Sequence, residues 1–135
     1  MLVAGSILIV EDEILVALDM QCTLEERGYA VAGIAADLQG ALEYSDSAID
    51  LALVDLNLRD GLTGPEIGKR LAQEHKAKVL FVTANPRLLG DGISGTIGVL
   101  TKPTDAESLT AAVAYALARS SGEAAAAPPS LRCFT

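Results

Sequence analysis

The chain has 135 residues and a mass of 14.0 kDa, enough for one domain with its own core, and 50% of its residues are hydrophobic. Ten Lys and Arg against 18 Asp and Glu give a net charge of −8, which opposes direct binding to nucleic-acid phosphates. Cys22 and Cys133 lack metal-ligand spacing and imply a reducing compartment without disulfides, and no basic leader or membrane-length apolar run is present, so a soluble, cytoplasmic protein is expected.

In chain order, Ser6–Val10 reads as a first strand that runs into Glu11-Asp12-Glu13. A helix is predicted from Glu13 to about Arg27, stopped by Gly28 as a C-terminal cap. Its apolar residues Ile14, Leu15, Val16, Leu18, Met20, Cys22 and Leu24 spread over more than one face, whereas a helix wetted on one side shows a narrower stripe. Two readings are open: a deeply packed helix with loose patterning, or an apolar patch kept for a partner. Tyr29–Ala35 follows as a second strand weakened by Gly33, and Asp37 is placed to N-cap a short helix from Leu38 to about Tyr44.

Leu51-Ala52-Leu53-Val54-Asp55-Leu56-Asn57-Leu58 is an apolar run broken by one acid and followed by Arg59-Asp60-Gly61. A run bounded by an Asp-Gly turn reads as a strand buried on both faces, a central position in a parallel sheet. Asp55 then lies at its carboxyl end, the edge of open α/β sheets at which ligands bind. Taken alone, the same acid could equally cap the next segment. Pro65 suits the first position of a helix running to about His75, the single histidine, which is read as a solvated residue near a helix end.

Lys78–Val82 reads as a fourth strand leading to Thr83-Ala84-Asn85. Gly90, Gly92, Gly95 and Gly98 crowd the next segment, and at about 1 kcal/mol per glycine a full helix is disfavoured there. Gly98–Thr101 then leads to Lys102-Pro103, and Thr104 is the predicted N-cap of a last helix, Asp105–Arg119. The stretch 120–135 is rich in Ala, Pro and Ser and is expected to be a largely disordered tail to a domain spanning 1–119.

If these strands are parallel neighbours, Glu11, Asp12, Asp55, Thr83 and Lys102 meet at one sheet edge. Three acids there repel unless a cation offsets them, and a hard, oxygen-seeking Mg²⁺ is the usual remedy.

The acidic pair Glu11-Asp12 after the first strand, Asp55 after the third, Thr83 after the fourth and Lys102-Pro103 after the fifth resemble the receiver domain of two-component response regulators. The phrasing Ile9-Val10-Glu11-Asp12-Glu13, Ala17-Leu18-Asp19 and Leu53-Val54-Asp55-Leu56-Asn57-Leu58 is most similar to stand-alone alphaproteobacterial receivers, which the resemblance links to histidine kinases of the HWE type. The resemblance implies a doubly wound, flavodoxin-like (βα)5 fold, a five-stranded parallel sheet of order 2-1-3-4-5, with an irregular or shortened fourth helix.

It further implies Asp55 as phosphoacceptor and Mg²⁺ held by Asp12, Asp55, the Asn57 carbonyl and, through water, Glu11. Lys102 and the Thr83 hydroxyl would meet phosphoryl oxygens, beside a cis Lys102-Pro103 bond. The implied partners are a sensor histidine kinase or histidine phosphotransferase, docking near the first helix, and a downstream protein target, with no nucleic acid and no membrane insertion. A monomer or weak homodimer is expected, acting as a switch that catalyses only its own phosphotransfer and dephosphorylation. Receivers commonly carry Tyr or Phe three residues before the site lysine, where this chain has Val99. The segment Asn85–Gly98 is accordingly expected to signal by becoming ordered on phosphorylation.

Two other classes remain. A magnesium-dependent phosphohydrolase with an aspartyl nucleophile usually places a second acid two residues later, where this chain has Asn57, and a non-phosphorylated scaffold would have little reason to retain all five site residues.

Overall fold

The computed structural model describes residues 5–44, 47–120 and 126–134. Its elements are β1 (Ser6–Val10), α1 (Ile14–Glu26), β2 (Ala30–Ala35), α2 (Leu38–Leu42), β3 (Leu51–Val54), α3 (Gly64–Glu74), β4 (Lys78–Thr83), a 3-10 turn (Pro86–Leu89), β5 (Gly98–Thr101), α4 (Ala106–Ser120) and β6 (Leu131–Cys133). The strands form one sheet of order β2-β1-β3-β4-β5-β6. The first five run parallel, and β6 is antiparallel to β5.

Successive side chains of a strand point to opposite faces, and here each face has its own core. Ile7, Ile9, Leu51, Leu53, Leu80 and Val82 pack with Ala17, Met20 and Leu24 of α1 and with Leu109, Val113 and Ala116 of α4. Leu8, Val10, Ala52, Val54, Val79 and Phe81 pack with Ala41 of α2 and with Ile67 and Leu71 of α3. Every residue of β3 is buried, as a central strand covered by helices on both sides requires.

The expected parallel strands, their order 2-1-3-4-5 and an irregular, shortened fourth helical segment are all present. A four-residue 3-10 turn stands where that helix would be. Gly28 follows α1 and donates its N–H to the Glu25 carbonyl, as expected of a cap. Asp37 caps α2 by accepting from the Gly40 N–H at 2.7 Å.

Three expectations need correction. The stretch 120–135 is not all tail: α4 extends to Ser120, and Leu131–Cys133 adds a sixth strand, with Leu131 inside the core. Within the stretch, residues 121–125 and 135 lie outside the described residues. Second, the last helix is capped not by Thr104 but by Asp105, whose carboxylate accepts from the Ser108 N–H at 2.7 Å. Thr104 Oγ1 is buried without a hydrogen-bond partner. Third, α1 is not deeply packed all round, because Ile14, Leu15 and Leu18 are 57%, 79% and 47% exposed.

Candidate functional site

The parallel register brings the carboxyl ends of β1, β3, β4 and β5 to one edge: Val10 pairs with Val54, Val54 with Phe81, and Thr83 with Thr101. The residues just beyond these strands therefore converge. A cavity of about 280 Å³ at that edge is lined by Asp12, Glu13, Asp55, Asn57, Thr83, Ala84, Asn85 and Lys102. Thus Asp12, Asp55, Asn57, Thr83 and Lys102, all singled out in the sequence, share one opening. Glu13 and Asn85 were missed, and their signal was only their place next to the strand ends.

Asp55 is held on both carboxylate oxygens. Oδ1 accepts from the Leu56 N–H at 2.7 Å, and Oδ2 accepts from Lys102 Nζ at 2.8 Å. Gly64 stands close behind it, and a Cβ there would collide with the Asp55 carbonyl, so α3 can start this near the site only with glycine. Thr83 is fully buried, and its Oγ1 accepts from the Asn85 N–H at 3.1 Å.

Glu11 lies deeper than the cavity. Only 3% exposed, it accepts from Lys102 Nζ and from the Glu13 N–H at 3.1 Å. Burial pushes its carboxyl above the ordinary value, against the opposing pull of Lys102. Burial works against the Lys102 ammonium, yet the hydrogen bonds to Asp55 and Glu11 outweigh it and hold its pKa above the ordinary lysine value. One ammonium therefore bridges two carboxylates in a largely water-excluded position, where charge-assisted hydrogen bonds are strong. The Lys102-Pro103 bond is cis.

The loop that carries Asn57 is tied down from the side. Arg59 donates to the Asp37 carboxylate through both Nε, at 3.1 Å, and Nη2. Its backbone N–H donates to the Ala36 carbonyl at 3.0 Å. Asp60 accepts from the Thr63 hydroxyl and from the Leu38 N–H, and both bonds hold its carboxyl below the usual range. The Arg59–Asp37 pair, at the mouth of α2, likewise lowers Asp37.

Among the described residues, no three His, Cys, Asp or Glu side chains surround a common point as a metal cage. Magnesium asks for less, since it keeps several waters and commonly takes only one or two carboxylates. Asp12, Asp55 and Asn57 line one open cavity, and two carboxylates there meet that demand. His75 is exposed at the C-terminal end of α3, 3.9 Å from Glu74 and outside this cavity.

A family model of the response regulator receiver domain matches residues 7–114. The chain belongs to that family. This receiver domain is 31% identical over 117 residues to the phyllosphere-induced regulator PhyR of Methylorubrum extorquens, covering 84% of this chain and 44% of PhyR. It is also 31% identical over 119 residues to the transcriptional regulatory protein PdtaR of Mycobacterium tuberculosis, covering 84% of this chain and 57% of PdtaR. The chain thus spans about half the length of these curated relatives.

Among solved structures, the PhyR receiver domain of Erythrobacter litoralis aligns with a TM-score of 0.75 at 28% identity, covering 84% of this chain and 89% of that one. PhyR from Brucella abortus gives 0.79 at 29% identity, covering 89% and 50% respectively. As a receiver, the chain is a signalling domain related to parts of longer regulators. No helix among the described residues is long and apolar enough to cross a membrane.

Proposed function

We propose that this receiver is a phosphoacceptor switch in a cytoplasmic two-component phosphorelay, with Asp55 as the acceptor. The donor is a phosphohistidine on a sensor histidine kinase, of the HWE type, or on a histidine phosphotransferase. The observation that carries this reading is the 2.8 Å bond from Lys102 Nζ to Asp55 Oδ2 inside a cavity that Thr83, Asp12 and Asn57 also line.

In the transfer, an Asp55 carboxylate oxygen attacks phosphorus, an O–P bond forms, the P–N bond of the donor breaks, and its electron pair returns to the imidazole. Charge on the three equatorial oxygens needs cations beyond the protein backbone. Lys102 supplies one from the β5 side, by exchanging its contact with Asp55 for a phosphoryl oxygen. The Thr83 hydroxyl donates to another once it turns from Asn85. Asp12, Asp55 and the Asn57 carbonyl would hold Mg²⁺, with Glu11 acting through water. When bound, that ion neutralises phosphoryl oxygens. Glu11 also fixes the Lys102 ammonium at the height of Asp55.

The domain extends past residue 119 to take in β6, and it passes its signal by contact with a downstream protein, while the exposed Ile14, Leu15 and Leu18 of α1, the helix that follows Glu13, would meet the donor. The site serves its own phosphotransfer and dephosphorylation rather than turnover of a free substrate: Asn57 occupies the place of a hydrolase's second acid. Incubation with acetyl phosphate and Mg²⁺, followed by mass spectrometry, tests this. One phosphoryl group per chain, absent from Asp55→Asn, is expected. Sustained release of phosphate with many turnovers would make the protein a hydrolase, and no labelling would make it a scaffold.

A further inference from the structure

Thr83 is tied to the far margin of the sheet by a short run of hydrogen bonds. The residue is buried, and its Oγ1 accepts from the Asn85 N–H at 3.1 Å. Asn85 opens the 3-10 turn Pro86–Leu89, its carbonyl accepting from the Leu88 N–H at 3.2 Å. Pro86 has no N–H, so the Asn85 N–H is the bond that fixes the start of this turn to the site.

The other end of the run lies in β6. Arg132 donates through Nη1 to the Gly90 carbonyl at 3.1 Å and through Nη2 to the Pro86 carbonyl at 3.4 Å. A guanidinium is a rigid fork, and one that spans two carbonyls holds both ends of the turn at a fixed separation. It also lies 5.3 Å from the Phe134 ring centroid. That ring is seated on Gly92, where a Cβ would strike it, and the Phe134 N–H donates to the Ile97 carbonyl at 2.9 Å.

The strand therefore has two kinds of hold. Leu131 is 7% exposed and anchored in the core beside α4, whereas Arg132 and Phe134 both rest on the segment between the site and β5. A short edge strand held in this way opens locally well before the fold does. Movement at Asn85 reaches β6 through Arg132 while the buried central strands stay as they are.

We infer that the Thr83 hydroxyl, the Asn85 N–H, the Pro86 carbonyl and Arg132 form a linkage by which phosphorylation of Asp55 loosens β6. The inference rests on the reading of Asp55 as phosphoacceptor. The resting chain holds both bonds, Asn85 to Thr83 and Arg132 to Pro86. When the hydroxyl turns to a phosphoryl oxygen, the Asn85 N–H loses its acceptor and takes water instead at this exposed position. The turn is then free to shift, and the Arg132 fork loses the carbonyl spacing it matches. Coupling of this kind is reciprocal: whatever loosens β6 favours the state in which Thr83 faces the phosphoryl group.

The test reads amide exchange at Phe134 in the full chain, with Leu53 of the central strand as internal reference. Acetyl phosphate and Mg²⁺ are supplied throughout, and intact mass reports the label on Asp55. In the labelled chain the Phe134 amide is expected to exchange at least about tenfold faster than in the unlabelled one, with Leu53 unchanged. A labelled chain whose Phe134 amide keeps its rate overturns the inference and leaves Asp55 as phosphoacceptor. No label on Asp55 overturns that reading of the site, and the inference with it.

Two variants test the linkage at its ends, and the parent chain alone suffices should either fail to fold. Thr83→Val removes the acceptor at nearly constant volume with no phosphoryl group present, and it should speed Phe134 exchange by about tenfold. Arg132→Ala should bind beryllium fluoride with Mg²⁺, a mimic of the phosphoryl group, at least about fivefold more tightly than the parent by titration calorimetry. An unchanged exchange rate in the first variant, or equal affinity in the second, overturns the inference.

Discussion

Lys102 Nζ and Asp55 Oδ2 lie 2.8 Å apart although 47 positions separate the two residues in the chain. The parallel pairing of β3 with β4 and of β4 with β5 makes that contact, by setting the ends of the strands level. The same ammonium serves the buried Glu11, so its removal takes the one cation, and one hydrogen bond, from each of two carboxylates.

Lys102→Met is therefore expected to act twice. Labelling of Asp55 by acetyl phosphate should slow by about 100-fold, the scale of losing one preorganised charge at a reacting oxygen. Stability to urea should fall by about 1–3 kcal/mol, the cost of leaving a buried acceptor unpaired. Unchanged labelling would remove Lys102 from the site chemistry.

Asp12→Asn should weaken Mg²⁺ binding, measured by titration calorimetry, by about tenfold while leaving the melting temperature nearly constant, because Asp12 is exposed and hard cations bind through carboxylate charge. An affinity equal to the parent's would exclude Asp12 from the metal.

Leu15→Glu places a charge on the most exposed apolar residue of α1. The urea midpoint should hardly move, and labelling by acetyl phosphate should be unaffected. Phosphotransfer from a cognate histidine kinase should drop by tenfold or more, on the order of a truncated interface anchor. Equal transfer rates would assign the exposed face to another role.

Leu53→Ala empties a site in the middle of β3 where the side chain is 1% exposed. A loss of about 2–5 kcal/mol in urea unfolding is expected, as for other buried leucines.

Asp105→Ala removes the cap of α4. The Asp105 carboxyl is held below its ordinary value of 3.8 by the hydrogen bonds to Ser108. A depressed carboxyl stabilises the fold above the unfolded value and ceases to do so as pH falls through the folded one. The variant should melt below the parent at neutral pH, and the difference should close as pH drops past 3.8. Thr104→Ala, by contrast, deletes a buried hydroxyl that has no partner and should not lower the melting temperature through a lost hydrogen bond.

The sequence carried the central sheet well because the signal was local. An unbroken apolar strand such as Leu51–Val54 can only be buried on both faces, and an acid at its end is legible at once. The strand β6 was illegible for the opposite reason: Leu-Arg-Cys after Pro-Pro-Ser has no periodicity, and its stability comes from Gly98, Gly92 and Phe81, far away in the chain. The glycine-rich segment was read correctly as lacking a full helix. Its internal bonds, Thr96 N–H to the Ile93 carbonyl and Gly92 N–H to the Leu89 carbonyl, and the two carbonyls that accept from Arg132 had no signal in the sequence. Thr104 and Asp105 are adjacent and both suited to capping, and only the backbone geometry distinguishes them.

The two margins of the sheet are unequal. On one side β2 offers six residues, only the last of them buried, while on the other β6 offers three, with Arg132 outermost among them. Short margins bearing a cation are poor templates for further strands. Two molecules meeting β2 to β2 would therefore form a closed pair whose outer borders are both β6, and growth would end there instead of running on into a fibre. Stripping β6 away restores a longer border on β5, so the short strand also limits how far the sheet can be extended by its own copies.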